Sequence, residues 1–396
     1  MFQAVTRVVL AQLYAVLALL ATATPSLAQS VGADLSTLLT QQTPAPEGYV
    51  RDRAAAEATF ATVAGLFTVE LTNLPVTSSS GGFVYRFNPT LGTVERASDS
   101  FGPFFSERAL RNGRGRVSIG MAYQFAKFST LQGADLDAGT FPTNTARFAG
   151  QVQPFSVDTL SLSLDVNTVT AFASYGITDR LDVGLAAPFT RLHFSGRRQN
   201  TLFGQSTLQS TRSGSAVGIG DLTINTRYDL TKRAGYGFGV GSDLRLPTGR
   251  EEDLLGAGTT TWRLLAIGSW ERDRLSVHGN GGFGVGGVSR EAFWAAAVTY
   301  ATGLRVTLVG ELMGRHLAEL HRVSDVYQPH PVIAGVETMR WLPETEGTHV
   351  GLLATGVKWN PRGNLLVNAH LLTRLTDTGL RARFTPSMGL DYAVSF

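Results

Sequence analysis

The sequence predicts an all-β chain that closes into a transmembrane antiparallel barrel of about fourteen strands, preceded by an export signal. Three observations predict it. The chain stops on an alternating strand whose last residue is Phe396. It begins with a short apolar run followed by a small-residue cleavage site. Between the two, alternating segments of about 10–13 residues recur from residue 117 onward, the length a tilted strand needs to cross a bilayer.

The N-terminus comes first. Arg7 is the only charge before Asp34, and the stretch from Val8 to Ala23 is almost wholly apolar. Pro25 breaks the run, and Ser26-Leu27-Ala28 presents small residues to a signal peptidase. Residues 1–28 therefore read as a signal peptide, with Gln29 as the mature start. No later stretch carries the ~20 consecutive apolar residues of a membrane helix. A barrel needs none, because only alternate residues meet lipid. The chain has no Cys, which excludes disulfides, thiolate metal sites and a lipidated cysteine. A net charge of +3 over 396 residues points to no polyanionic partner, nucleic acid included.

Residues 29–115 differ from the rest and read as a periplasmic lead-in or a plug. Thr43-Pro44-Ala45-Pro46-Glu47-Gly48 is a turn-rich linker, and the Ala-rich stretch from Arg53 to Val63 suits a short helix. A Ser/Gly break at 78–82 precedes a short strand from Phe83 to Phe87.

Residues 116–396 carry the barrel. Val117, Ile119, Met121, Tyr123 and Phe125 share one face, as do Leu181, Val183, Leu185, Ala187 and Phe189. Leu222, Ile224, Thr226, Tyr228 and Leu230 oppose Asp221, Thr223, Asn225, Arg227 and Asp229. At the end, Met388, Leu390, Tyr392, Val394 and Phe396 alternate with Gly389, Asp391, Ala393 and Ser395. Strands are expected near 117–128, 165–177, 181–194, 218–230, 236–247, 259–271, 274–286, 291–302, 304–316, 319–328, 331–342, 348–360, 364–375 and 384–396. With Phe396 in the periplasm, short turns fall on that side and the long connections 129–164, 195–217 and 248–258 fall outside. Taking 319–342 as one strand breaks the parity; twelve strands result if one hairpin is an outer-loop excursion. Tyr175, Tyr228, Trp270, Tyr300, Trp359 and Tyr392 lie near strand ends, as in an interfacial girdle.

Catalytic and metal motifs are sparse. Gly-x-Ser-x-Gly is missing, and Val240-Gly241-Ser242-Asp243 fails it. The glycines from 281 to 287 lack the Gly-Lys-Ser/Thr of a phosphate loop. His316, His321 and His330 are irregularly spaced for a metal. Asp135, Asp137, Glu251, Glu252 and Asp253 read as solvated turns. Arg111, Arg114 and Arg116 read as a basic, glycine-broken entry to the first strand. The sequence thus predicts no enzyme and no cofactor.

What remains is a polar face for the barrel interior. The expected lumen-lining residues are Asp221, Asn225, Arg227, Asp243, Arg245, His278, Asn280, Arg305, Glu311, Asn368, His370 and Arg374, with Asp229 and Asp391 beside them. Both signs occur, so strong ion selectivity is not expected. In a narrow barrel these groups pair across the interior; in a wider one they line a channel.

Several phrases together resemble a known group. They are Phe101-Gly102-Pro103-Phe104-Phe105-Ser106-Glu107-Arg108-Ala109-Leu110, Gly113-Arg114-Gly115-Arg116 and Tyr123-Gln124, then Gly218-Ile219-Gly220-Asp221-Leu222, Leu244-Arg245-Leu246-Pro247-Thr248-Gly249 and Lys358-Trp359-Asn360-Pro361. Over about residues 80–396 the chain resembles the outer-membrane transporter family named for the meta-pathway of phenol degradation. The resemblance implies a bacterial outer-membrane channel for passive uptake of small hydrophobic or aromatic compounds, comparable to the long-chain fatty-acid transporters. Expected partners are outer-membrane lipid, the small solute, and the barrel-assembly machinery through the strand ending at Phe396. The alternative is a structural or adhesion barrel with a filled lumen and partner-binding outer loops.

Overall fold

The computed structural model describes residues 30–45, 48–72, 82–83, 85–88, 93–96, 98–231 and 235–395. The expected signal peptide and Phe396 lie outside them. Two helices, α1 (Val31–Thr40) and α2 (Arg53–Thr72), precede a small hairpin, β1 (Tyr85–Asn88) and β2 (Thr93–Arg96). Then come β3 (Arg116–Leu131), β4 (Ala134–Asp135), β5 (Phe141–Phe148), β6 (Pro154–Gly176), β7 (Leu181–Leu202), β8 (Gln205–Ile219) and β9 (Leu222–Asp229). They are followed by β10 (Tyr236–Leu246), β11 (Thr261–Arg272), β12 (Leu275–Gly286), β13 (Glu291–Gly303) and β14 (Val306–Pro329). The chain finishes with β15 (Val336–Arg362), β16 (Leu365–Arg374), β17 (Leu380–Ala382) and β18 (Phe384–Ser395).

Twelve antiparallel strands close the barrel: β3, β6, β7, β9 to β16 and β18, which returns to β3 through Val117↔Val394. Fourteen was two too many. The segments expected at 304–316 and 319–328 are the single strand β14, and those at 331–342 and 348–360 are β15. The two pair from Val306↔Trp359 to Pro329↔Glu337, with register shifts between Leu317 and Val323. The ladder continues past those irregularities instead of turning, so the 319–342 hairpin is an outer excursion. Parity survives, because twelve is also even.

The barrel ends differ. Turns at 177–180, 273–274 and 363–364 are short, and the chain enters at Arg116 and leaves at Ser395 on that same side. This is the periplasmic end. On the outward face, Leu185, Ile224, Phe238, Val277, Val298, Leu308, Leu353 and Met388 are all exposed. Tyr175, Tyr228, Trp270, Tyr300 and Trp359 are exposed near the periplasmic rim, and Trp262 and Trp294 near the other. Trp262 and Trp270 are eight residues apart on β11, about 26 Å along a strand and so about 20 Å along the membrane normal at a tilt of about 40°, within an apolar band of about 25 Å. A closed barrel with this belt leaves no backbone edge in the hydrocarbon. The protein resides in the bacterial outer membrane.

Above the belt the alternation continues and its polarity reverses. Outward residues of β6 run Tyr175, Ala173, Ala171 and Val169, then Asn167, Asp165, Ser163 and Ser161. Those of β7 run Leu181 to Phe189 by twos, then Arg191, His193, Ser195 and Arg197. Register places Val169 opposite Phe189 and Asn167 opposite Arg191, so both strands switch at one level. The inward residues switch oppositely. Thr170 and Thr168 give way to Val166, Leu164, Leu162 and Leu160, all buried, and Leu192 and Phe194 follow on β7.

That apolar interior packs α1 and α2. Val31, Leu35, Leu38 and Leu39 of α1 and Val63, Leu66 and Phe67 of α2 share one core with Leu160, Leu162, Leu164 and Phe194. Ser30 caps α1, its Oγ accepting from Ala33 N at 3.2 Å. At the other end, buried Arg198 donates Nε to Leu38 O at 3.0 Å and Nη1 to Asp158 Oδ2 at 2.8 Å. A cation at a helix C-terminus meets the negative end of its dipole. Gly196 leaves room for Leu38, whose Cδ2 would lie 2.4 Å from a Cβ at that position. Asp52 caps α2 through Ala55 N at 3.0 Å and pairs with Arg340 at 3.1 Å. At 20 residues, α2 is long and apolar enough to cross a membrane, yet it lies along β15, β5 and β17 within the barrel wall. The sequence reading stopped it at Val63.

Candidate functional site: the lumen and the segment that closes it

Residues 98–115 enter the barrel from the periplasmic end, run across the lumen and leave into β3. Their backbone is gripped strand by strand. Ser100 Oγ lies 2.9 Å from Ser276 Oγ, and Phe101 N donates to Thr307 Oγ1 at 3.2 Å. The Glu311 carboxylate, buried on β14, accepts from three successive amides: Phe104 N, Phe105 N at 3.1 Å and Ser106 N at 2.9 Å. Ser106 Oγ adds a fourth donor at 2.9 Å. Lys358 Nζ on β15 donates to Pro103 O at 2.5 Å. Asn280 both accepts from Glu107 N at 2.6 Å and donates to Glu107 O at 2.8 Å. Ala109 N donates to Ser269 Oγ at 2.9 Å, and Asn112 N to Asp182 Oδ2 at 2.9 Å. A buried backbone must find such partners, and here the strands supply them.

The residues expected to line the lumen can now be placed. Arg227 pairs with Glu107 of the segment at 3.1 Å and with Asp243 at 2.6 Å. His370 stacks on Phe104 with ring centroids 4.3 Å apart. His278 sits behind Ser269, Nδ1 to Oγ at 2.9 Å, and so backs the Ala109 contact. Asn368 meets Asp391 at 3.5 Å. Arg245 donates to Thr72 O at 2.5 Å, and Arg374 pairs with Glu70 at 2.5 Å. These two and Arg315, 3.9 Å from Glu70, hold the C-terminal end of α2. Asn225 is buried and packs on Gly184. Asp221 lies higher, its carboxylate accepting from Gly249 N at 3.1 Å and Ala257 N at 2.9 Å, which folds the 248–257 loop inward.

Arg305 is the exception. It is exposed in the periplasmic turn between β13 and β14, where its carbonyl accepts from Asn360 N at 2.7 Å. Counting by twos carried the alternation one residue past the end of the strand. Sequence reasoning also missed Lys358, Ser269, Thr307 and Asp182. Each alternates with an outward apolar residue, so periodicity could have found them. Among the described residues, no three His, Asp or Glu side chains converge on a metal site.

Above the segment lies a cavity of about 200 Å³. Its floor is Phe105 and Glu107. One part of its wall is apolar, with Leu265, Phe293, Met313 and Leu352; another is charged, with Arg227, Asp243, Arg263 and Glu291. Arg263 of β11 and Glu291 of β13 form a close ion pair across β12, over Gly284.

The chain matches no protein-family model and no curated protein sequence, so the family resemblance read from the sequence has no such support. Solved outer-membrane barrels are similar to it in fold. An outer-membrane channel from Pseudomonas putida F1 is 14% identical, with a TM-score of 0.43, over 72% of this chain and 98% of that one. The NanC porin is 7% identical, with a TM-score of 0.37, over 70% and 98%. The translocator domain of the autotransporter NalP from Neisseria meningitidis is 10% identical, with a TM-score of 0.37, over 72% and 90%.

Proposed function

We propose that this barrel passes small hydrophobic or aromatic solutes through the outer membrane by passive diffusion, with residues 99–112 as a movable stopper. The observation that carries the reading is the cavity floored by the stopper itself. At about 200 Å³ it exceeds the roughly 150 Å³ that suffices to hold benzene. Phe105, Phe293 and Met313 suit an apolar ring, and the paired charges beside them suit a polar substituent. The stopper is held largely through hydrogen bonds to its backbone. Exchanging such bonds for water costs about 1 kcal/mol for each neutral pair and about 1.5–3 kcal/mol for those to Glu311, Lys358 and Asp182. A modest shift of the segment therefore opens the floor without unfolding the wall. No nucleotide motif is present in the sequence, and a concentration gradient suffices as the driving force.

The absence of cysteine makes the test clean. The pair Ala109→Cys and Ser269→Cys spans a contact between stopper and β11. In proteoliposomes, benzoate uptake and planar-bilayer current should fall to background when this pair is oxidised and return on reduction. Equal uptake in both redox states would remove the movable stopper. Silence of the wild type in both assays would favour a filled structural barrel.

A further inference from the structure

The outer tip, away from the lumen, carries a feature that passage through the barrel does not use. The hairpin between β7 and β8 turns on Phe203-Gly204, with φ of 47° and 82°. Two left-handed central residues in a two-residue loop favour Asn, Asp or Gly. A bulky Phe in that region is an outlier with a conformational cost. Packing covers one side of the ring only, and Phe203 remains 69% exposed. Backbone strain that keeps a ring in solvent is the kind of outlier that points toward function.

The ring is one wall of a cup. Phe203 stacks on Phe155 at 5.3 Å and 16°, and Phe148 lies against the same ring at 4.7 Å. Tyr49, from the loop between α1 and α2, meets Phe155 edge-on at 5.6 Å and 84°. Together with Leu202, Val336, Gln205 and Arg51 they enclose about 520 Å³. Ligand sites typically span about 300–1,000 Å³, mostly apolar or aromatic with a few polar groups. Among the described residues of the lining Arg51 is the one that carries a charge, and its Nε donates to Thr43 O at 3.1 Å, which tethers the side chain.

We propose that this cup is a binding site for a small, flat, apolar ring compound bearing one anionic group, with Tyr49, Phe148, Phe155 and Phe203 clasping the ring and Arg51 meeting the anion. Offset and edge contacts of the four rings match the ways aromatic groups pack. A guanidinium beside them supplies a charge-assisted hydrogen bond to a carboxylate or sulfonate. The site lies outside the lumen, so it stands whether or not the stopper moves.

The test titrates 2-naphthoate against the full chain in lipid nanodiscs, followed by naphthoate fluorescence, with empty nanodiscs as blank. Saturable binding is expected. Phe203→Asn should weaken it at least tenfold while leaving the thermal midpoint equal or higher, because Asn suits the left-handed turn. The neutral analogue 2-naphthylmethanol should bind at least threefold more weakly than 2-naphthoate, and Arg51→Gln should erase that difference. Unchanged binding in Phe203→Asn would place the probe in lipid or lumen and overturn the cup. So would a lowered thermal midpoint with intact binding, which would make Phe203 a packing residue. Sedimentation showing a self-associated wild type, a monomeric Phe203→Asn and no naphthoate binding would assign the tip to contact between copies instead.

Discussion

Below the level of Asn167 and Arg191, β6 and β7 face lipid with apolar residues and turn mostly polar ones inward; from there up to Leu160 and Phe194 they do the reverse. The backbone ladder is continuous across the change, from Gly176↔Asp182 up to Ser156↔Leu202. What changes is the medium outside. In the membrane half, lipid rewards apolar residues outward, and the interior is free to hold groups that grip a backbone. In the outer half, water surrounds the wall, and an apolar interior must be filled to be stable. Hence the two halves hold different occupants: a hydrogen-bonded strap below and two packed helices above. The strap is held mainly by hydrogen bonds to the wall, and the helices by an apolar core that their departure would expose.

The largest effect should come from the upper core. Phe194→Ala removes a fully enclosed ring that packs beside α1 and should cost about 3–5 kcal/mol, read as a lower unfolding midpoint in urea. A loss below about 1 kcal/mol would mean that the helices are not structural. Next is a pair on one face of one strand. Leu185→Arg puts a cation in the belt and should cost about 2–4 kcal/mol near the midplane. Ser195→Arg, on the same outward face above the switch, should fall within about 0.5 kcal/mol of wild type. Equal penalties would erase the boundary drawn here.

A smaller change is expected at the strap. Glu311→Gln keeps the shape but removes the charge that gathers three amides, weakening the grip by about 1.5–3 kcal/mol. Bilayer current should rise while the urea midpoint moves little. The smallest effect concerns pH in the upper half. Burial raises the Asp158 carboxyl above the usual aspartate range, and the Arg198 charge only partly opposes it. With a raised folded value, the contribution of Asp158 is complete below its unfolded pKa and is lost as pH rises through the folded one. The stability difference between wild type and Asp158→Asn should therefore move against the wild type from pH 3 to pH 7. A shift in its favour would mean that the Arg198 pairing outweighs burial.

Much of the membrane half was legible in the sequence. Lipid imposes one rule on every strand it touches, so Val117 to Phe125, Leu181 to Phe189 and Met388 to Val394 show their outward face by alternation alone. The upper half was not. Its alternation persists but changes sign, so β6 was expected to start at 165 rather than Pro154 and β7 to end at 194 rather than Leu202. The same change split β14 and β15 into four strands. The polar residues of the lumen were visible as a set. Their partners were not, because hydrogen bonds donated by the amides of residues 104–106 to Glu311 leave no trace in side-chain periodicity.

The path of the chain has a consequence for assembly. Val31 N donates to Asp253 Oδ1 at 3.2 Å in an outer loop, whereas Gly82 and Phe83 lie against Leu366 near the periplasmic rim. The polypeptide therefore runs through its own ring from outside to inside, a bead threaded before the knot is tied. The knot is the β3–β18 seam, which joins the first and last barrel strands. Residue 30 must cross the outer membrane either before that seam zips or through the finished bore. A folded tag fused ahead of Ser30 should stall maturation, and a short unfolded epitope there should label intact cells.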